Sequence, residues 1–212
     1  MSLPHNQYLI TRKRQCYYSY ITKRLNMKAL ASIFAMALLI TSCTGEVVGE
    51  YTTHQCYYMI DFQYGHTASP LYASLNSNNT FCVISTSPIG STAYKLTAQL
   101  QGATAHEESI TEEMNTRPSR QLGLAGSLII GRSSFQDGAL YVFDRQCPNC
   151  YNDKRRANYP LSFSNAQSMH CASCGRTYSL LSGGVVSAGD NGEKLFRYKA
   201  TYTSLRLSIS NP

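Results

Sequence analysis

The chain has 212 residues, 43% of them hydrophobic and 11% aromatic, with no tryptophan and a formal net charge of +7. The basic excess would point to a nucleic-acid partner, but six Lys and Arg and no Asp or Glu fall in residues 1–42. Beyond them thirteen basic residues face twelve acidic ones, so no nucleic-acid partner is expected.

Residues 1–26 carry Arg12, Lys13, Arg14, Lys23 and Arg24 with Cys16 among aromatics, and resemble no export element. Two readings stand: an over-called start before Met27, or a long basic leader to the segment that Met27 opens. From Met27 the order is that of a secretory signal, a Lys28 charge and then an apolar run from Ala29 to Ile40. That run is 12 residues long, against the ~20 that a spanning helix needs. Ile40-Thr41-Ser42-Cys43 resembles the bacterial lipobox, in which the cysteine takes a diacylglyceryl group and becomes the new N-terminus. The signal is thus expected over 27–42, lipidation at Cys43, and a polar tether over 43–53. This pattern implies an anchored protein of the cell envelope, with the lipid holding it to the membrane.

The remaining 159 residues, 54–212, are enough for one domain with its own core. Their periodicity is that of strands. His54, Cys56, Tyr58, Ile60 and Phe62 share one face; Tyr94, Leu96, Ala98 and Leu100 alternate with polar residues; so do Leu205, Leu207 and Ile209. Such alternation marks half-buried antiparallel strands. Gln136-Asp137-Gly138, Gly183-Gly184 and Asp190-Asn191-Gly192 punctuate the chain as turns. One short helix is expected over His106 to Met114, ended by Arg117-Pro118. The fold class expected is all-β with antiparallel sheets. Cys56 and Cys82 each lie in a predicted strand, and if those strands pair, an oxidising compartment would allow a disulfide between them. The competing reading is two buried free thiols.

Cys147-Pro148-Asn149-Cys150 and Cys171-Ala172-Ser173-Cys174 are two C-x2-C pairs with twenty residues between them. A two-residue gap lets the backbone turn tightly enough to aim both sulfurs at one ion, and four thiolates satisfy a tetrahedral ion. Cys147, Cys150, Cys171 and Cys174 are therefore the candidate metal ligands, in a two-loop, zinc-ribbon-like part over 140–182. Disulfides within or between the pairs are the competing reading. His170 beside Cys171 reads as an exposed loop histidine, with a fifth ligand or a hydrogen-bond donor to the ligands as the alternative, and His54, His66 and His106 have no partner spacing.

The surroundings narrow the fold. Leu128–Arg132 and Ala139–Asp144 read as a hairpin running into Cys147; Gly175-Arg176-Thr177-Tyr178 follows the second pair; a Gly183-Gly184 turn and closing strands from Leu195 come after. Over roughly Leu128 to Ile209 this resembles the Rieske domain, and resembles the exported lipoproteins of Gram-negative bacteria that carry such an ending. The resemblance implies a two-loop cluster-binding fold at the outer membrane. The chain departs from the family where its two histidines belong: Asn149 stands in the place of the first and Cys174 in the place of the second. A high-potential, His-ligated iron centre is therefore not implied. Four cysteines suit a structural Zn²⁺, or a [2Fe–2S] cluster serving electron transfer. Against the cluster, this signal exports an unfolded chain. No Ser-His-Asp set, phosphate loop or carboxylate pair in a motif is present, and Glu107, Glu108, Glu112 and Glu113 read as a solvated face. The expectation is a binding or accessory protein with an envelope protein as partner, not an enzyme.

Overall fold

The alternation of β2 (Phe81–Ile89) sorts its side chains between two separate cores, and this arranges the molecule. Cys82 and Ile84 pack into one cluster, Phe81 and Val83 into the other. β5 (Ser127–Ser133) repeats the division, with Leu128 and Ile130 on one side and Ile129 on the other. So does β6 (Ala139–Asp144), with Val142 against Tyr141 and Phe143. In this computed structural model, which describes residues 50–203 and 205–211, the five-stranded antiparallel sheet is thus covered on both faces. Its order is β4-β3-β2-β5-β6, with β3 (Ala93–Leu100) and β4 (His106–Ile110).

The first core lies against a three-stranded sheet, β1-β12-β11, formed by β1 (Tyr57–Asp61), β11 (Lys199–Thr203) and β12 (Arg206–Ser210). Tyr58, Ile60, Leu207 and Ile209 supply its apolar face, as the alternation predicts. Leu205 departs from that pattern: it lies in the β11–β12 turn and is exposed. The second core lies against a four-stranded sheet, β10-β9-β8-β7, built from β7 (Ser162–Asn165), β8 (Ser168–His170), β9 (Thr177–Ser179) and β10 (Val185–Ala188). The layer that carries the two cysteine pairs includes β10 and Leu195. The described residues are mostly β and belong to one compact unit. No helix among them is long and apolar enough to cross a membrane.

Several expectations need correction. His106–Ile110 is a strand, not a helix; it pairs with β3 from Tyr94↔Ile110 to Ala98↔His106. The free edge of β3 offers that segment a full ladder, while Ile110 is its only buried side chain and cannot make a helix face. Helix is confined there to the single turn α2 (Glu113–Thr116). The longer helix α1 (Pro70–Asn76) lies where the alternation predicts none. Ser69 caps it, its side chain accepting from the Tyr72 N–H, and Pro70 opens it. The fold also begins before Thr53: the Thr52 N–H donates to the Arg197 carbonyl at 2.8 Å, and Glu50 pairs with the Arg197 guanidinium. Cys56 lies one residue before β1 rather than in a strand, and β1 does not pair with β2, which carries Cys82. β1 joins β12, and β2 sits between β3 and β5. Both cysteines are free and buried, each thiol pushed up to about 12 chiefly by that burial. The Ser74 hydroxyl meets the Cys82 sulfur at 3.2 Å. The signal 27–42, Cys43 and the early tether lie outside the described residues.

Candidate metal centre

β6 delivers the chain to the first cysteine pair, and a buried carboxylate fixes how it leaves the sheet. Asp144 accepts from the Leu124 N–H at 2.6 Å, the Gln146 N–H at 2.8 Å and the Tyr198 hydroxyl at 2.8 Å. Gly123 is required beside it: its backbone has φ +64, and a Cβ would fall 2.3 Å from an Asp144 oxygen. Just beyond Gln146, Cys147 is the N-cap of helix α3 (Pro148–Lys154), with Pro148 at the first helical position and Cys150 inside the first turn. The first loop is thus a short helix rather than an irregular segment. It ends at Arg155 in the left-handed region. The second pair follows β8. The Cys171 N–H donates to the Arg176 carbonyl and the Gly175 N–H to the Cys171 carbonyl, both at 2.9 Å, closing a tight turn with Gly175 at φ +72.

These two turns bring all four predicted cysteines together. Their sulfurs lie within 4.8 Å of one another, with Cys147, Cys150 and Cys171 buried and Cys174 partly exposed. Cys147 Sγ is 3.7 Å from Cys174 Sγ, and Cys150 Sγ is 3.7 Å from Cys171 Sγ. A tetrahedral ion with ~2.3 Å metal–sulfur bonds has sulfur–sulfur edges of about 3.8 Å. A disulfide bond is about 2.05 Å, so the four are free thiols at the spacing of one ion's ligands. The donor set is compatible with a bound metal.

The surrounding electrostatics explain why a cation suits the site. Burial pushes the Cys147 and Cys150 thiols up, so the protein alone does not favour them as thiolates. Burial acts the same way on Cys174, but the Arg176 N–H and guanidinium outweigh it and bring that thiol down to about 7. Tyr178, buried in β9, meets Cys147 Sγ at 3.2 Å. Asn149 Nδ2 donates to the Tyr178 oxygen at 2.9 Å, which leaves the phenolic proton for the sulfur. Asn149 also bonds both the N–H and the carbonyl of Glu193. It fastens the segment around Glu193 over the first loop. The ring of His170 meets the Thr177 hydroxyl at 3.3 Å and is outside the sulfur cluster. A polar groove of about 550 Å³, lined by Lys154, Ser173 and Arg176 among others, opens beside Cys150 and Cys174.

The C-x2-C spacing identifies the four sulfurs but not the roles of Tyr178, Asn149 and Arg176. Their one signal is position, close after a cysteine in each loop. His66 carries no sequence signal of its role either. Its ring is held between Glu108 and Glu112, at 2.9 and 3.0 Å, so those two acids are not a free solvated face. Glu107 and Glu113 are exposed and pair with Lys95 and Arg117. No protein-family model and no curated protein sequence matches the chain.

Proposed function

We propose that the chain is a lipid-anchored envelope protein with a Rieske-like domain in which Cys147, Cys150, Cys171 and Cys174 hold one structural Zn²⁺. The observation that carries the reading is the closeness of the four sulfurs, all within 4.8 Å. In a [2Fe–2S] cluster the two sulfur pairs sit on separate irons, more than about 5 Å apart. One tetrahedral ion fits the tighter spacing. Four protein ligands close its coordination, whereas catalytic zinc keeps a position open. This supports a staple that holds α3 and the β7–β10 layer in place for binding an envelope partner, without enzymatic chemistry. The hairpin β5–β6 entering the first ligand loop, with β8 and β9 flanking the second, supports the Rieske-like reading. The lipid anchor rests on the Lys28-to-Cys43 pattern.

The test is metal analysis and intact-mass spectrometry of untagged protein purified anaerobically, without chelators, from bacterial envelopes. About one zinc per chain, no visible absorption and a diacylated Cys43 as first residue are expected. Two irons with two labile sulfides per chain would replace zinc with the electron carrier. Metal-free protein with both cysteine pairs oxidised would end either metal reading. An unmodified Cys43 would end the lipoprotein one.

A further inference from the structure

A second cleft, of about 240 Å³, lies between one end of the five-stranded sheet and the metal-binding layer. Val83 and Leu100 wall it on the sheet side, Leu161, Phe163 and Met169 on the other; its single charged side chain is Arg145. No carboxylate lines it. Arg145 is held rigidly. Its N–H donates to the Ser127 carbonyl, its carbonyl accepts from the Leu161 N–H, and its Nε donates to the Leu161 carbonyl at 2.7 Å. The remaining guanidinium N–H groups have no acceptor among the described residues. Arg117, Arg197 and Arg206, by contrast, each meet a carboxylate.

A guanidinium stays charged at every working pH and presents a planar fork that matches a carboxylate. Half-buried in a cleft whose lining is polar at Gln99, Gln101 and Ser162, apolar at Leu100, Phe163 and Met169, and holds no counter-ion, it favours an anion with an apolar body to fill the apolar part. We propose that this cleft binds a small organic monocarboxylate, its oxygens on the free end of Arg145 and a short apolar body against Leu100, Phe163 and Met169. At about 30 Å³ per water-sized atom, the space holds about eight heavy atoms. With one cation and no acid in the lining, a dicarboxylate or an amino-acid zwitterion would leave a charge unpaired. The inference is independent of which metal the four cysteines hold.

The test is a titration of the full chain, metal content unchanged, with sodium hexanoate, read by amide chemical shifts. Hexan-1-ol and sodium sulfate at matched concentration are the controls. Hexanoate is expected to move the amides of 100–102 and 161–163 saturably, and neither control to do so. Arg145→Gln should weaken binding at least tenfold. Because that variant also loses the bond to Leu161, Ser162→Asp is the second: Ser162 is exposed on the cleft lining, and an aspartate there supplies a competing counter-ion while leaving that bond intact. It too should weaken hexanoate at least tenfold. No saturable shift in the wild type, equal shifts with hexan-1-ol or sulfate, or undiminished binding to folded Ser162→Asp would each overturn the proposal.

Discussion

His66 adopts φ +69, a backbone region that costs a residue with a side chain about 1 kcal/mol or more, and its ring is what its neighbours grip. Nδ1 meets Glu108 and Nε2 meets Glu112; ionised carboxylates only accept, so both nitrogens must carry protons. His106 stands 3.9 Å from the same Glu108 oxygen. Burial opposes the charge on His66, but the two carboxylates outweigh it and raise the imidazole above its ordinary 6.5. A raised folded pKa means the stabilisation is complete below about pH 6.5 and lost as pH rises through the folded value. Glu112 shifts the other way. Burial pushes it up, but its own backbone N–H and His66 pull it below 4.5, so its share is present above that and lost as pH falls. The expected outcome is a wild-type thermal midpoint that drops between about pH 6 and pH 9. His66→Gln should lose less stability than wild type over that window and be less stable at its acid end by about 1–2 kcal/mol. Equal slopes in calorimetry of the two proteins would contradict the arrangement. The sequence gives His66 no visible partner because its carboxylates lie 42 and 46 residues away. Only the folding of β4 against the chain that follows β1 makes them neighbours.

Elements whose own alternation decides their burial are readable. The hairpin of β5 and β6 and the faces of β1, β3 and β12 follow directly from period two. The segment 106–110 is not, because five residues with one buried apolar side chain carry no period. There the open edge of β3 decides the outcome. The helix α1 leaves a signal in Ser69-Pro70, a cap followed by a favoured first residue. Within the central sheet, Gly131 in β5 lies opposite Phe81 of β2. A Cβ at Gly131 would fall 2.4 Å from the Phe81 ring and from the Thr80 carbonyl, one of them backbone that cannot move aside cheaply. Gly131→Ala should therefore destabilise the protein by about 1–3 kcal/mol in urea unfolding, with the slope against denaturant unchanged. A variant as stable as wild type would mean that Phe81 is free to shift.

The two cores give the molecule layers of unequal self-sufficiency. The first, between the five- and three-stranded sheets, is built from long strands and apolar side chains such as Tyr58, Ile84, Leu96 and Ile209. The second counts Cys147, Cys150 and Cys171 among its buried residues and is closed by strands of three or four residues. Sheets that small would draw folding free energy from the metal proposed for the four sulfurs. Stripping the metal with a strong chelator should raise amide exchange first over 147–176, with β2, β3 and β12 still protected. Uniform loss of protection across both cores would show the layers to be one cooperative unit. Alternation and C-x2-C spacing are local properties of the chain, and for that reason the antiparallel β class and the four clustered cysteines are legible in the residues alone. Which strands neighbour one another is not local: the fold puts Cys56 just before β1 and Cys82 within β2, strands of different sheets, and leaves both as buried thiols. The fold also sets the Tyr178 hydroxyl on Cys147, the carboxylates around His66 and the Arg145 guanidinium on the Leu161 carbonyl. Each of those contacts joins residues whose separation along the chain carries no period, and only the packing of the layers brings them within a hydrogen bond's reach.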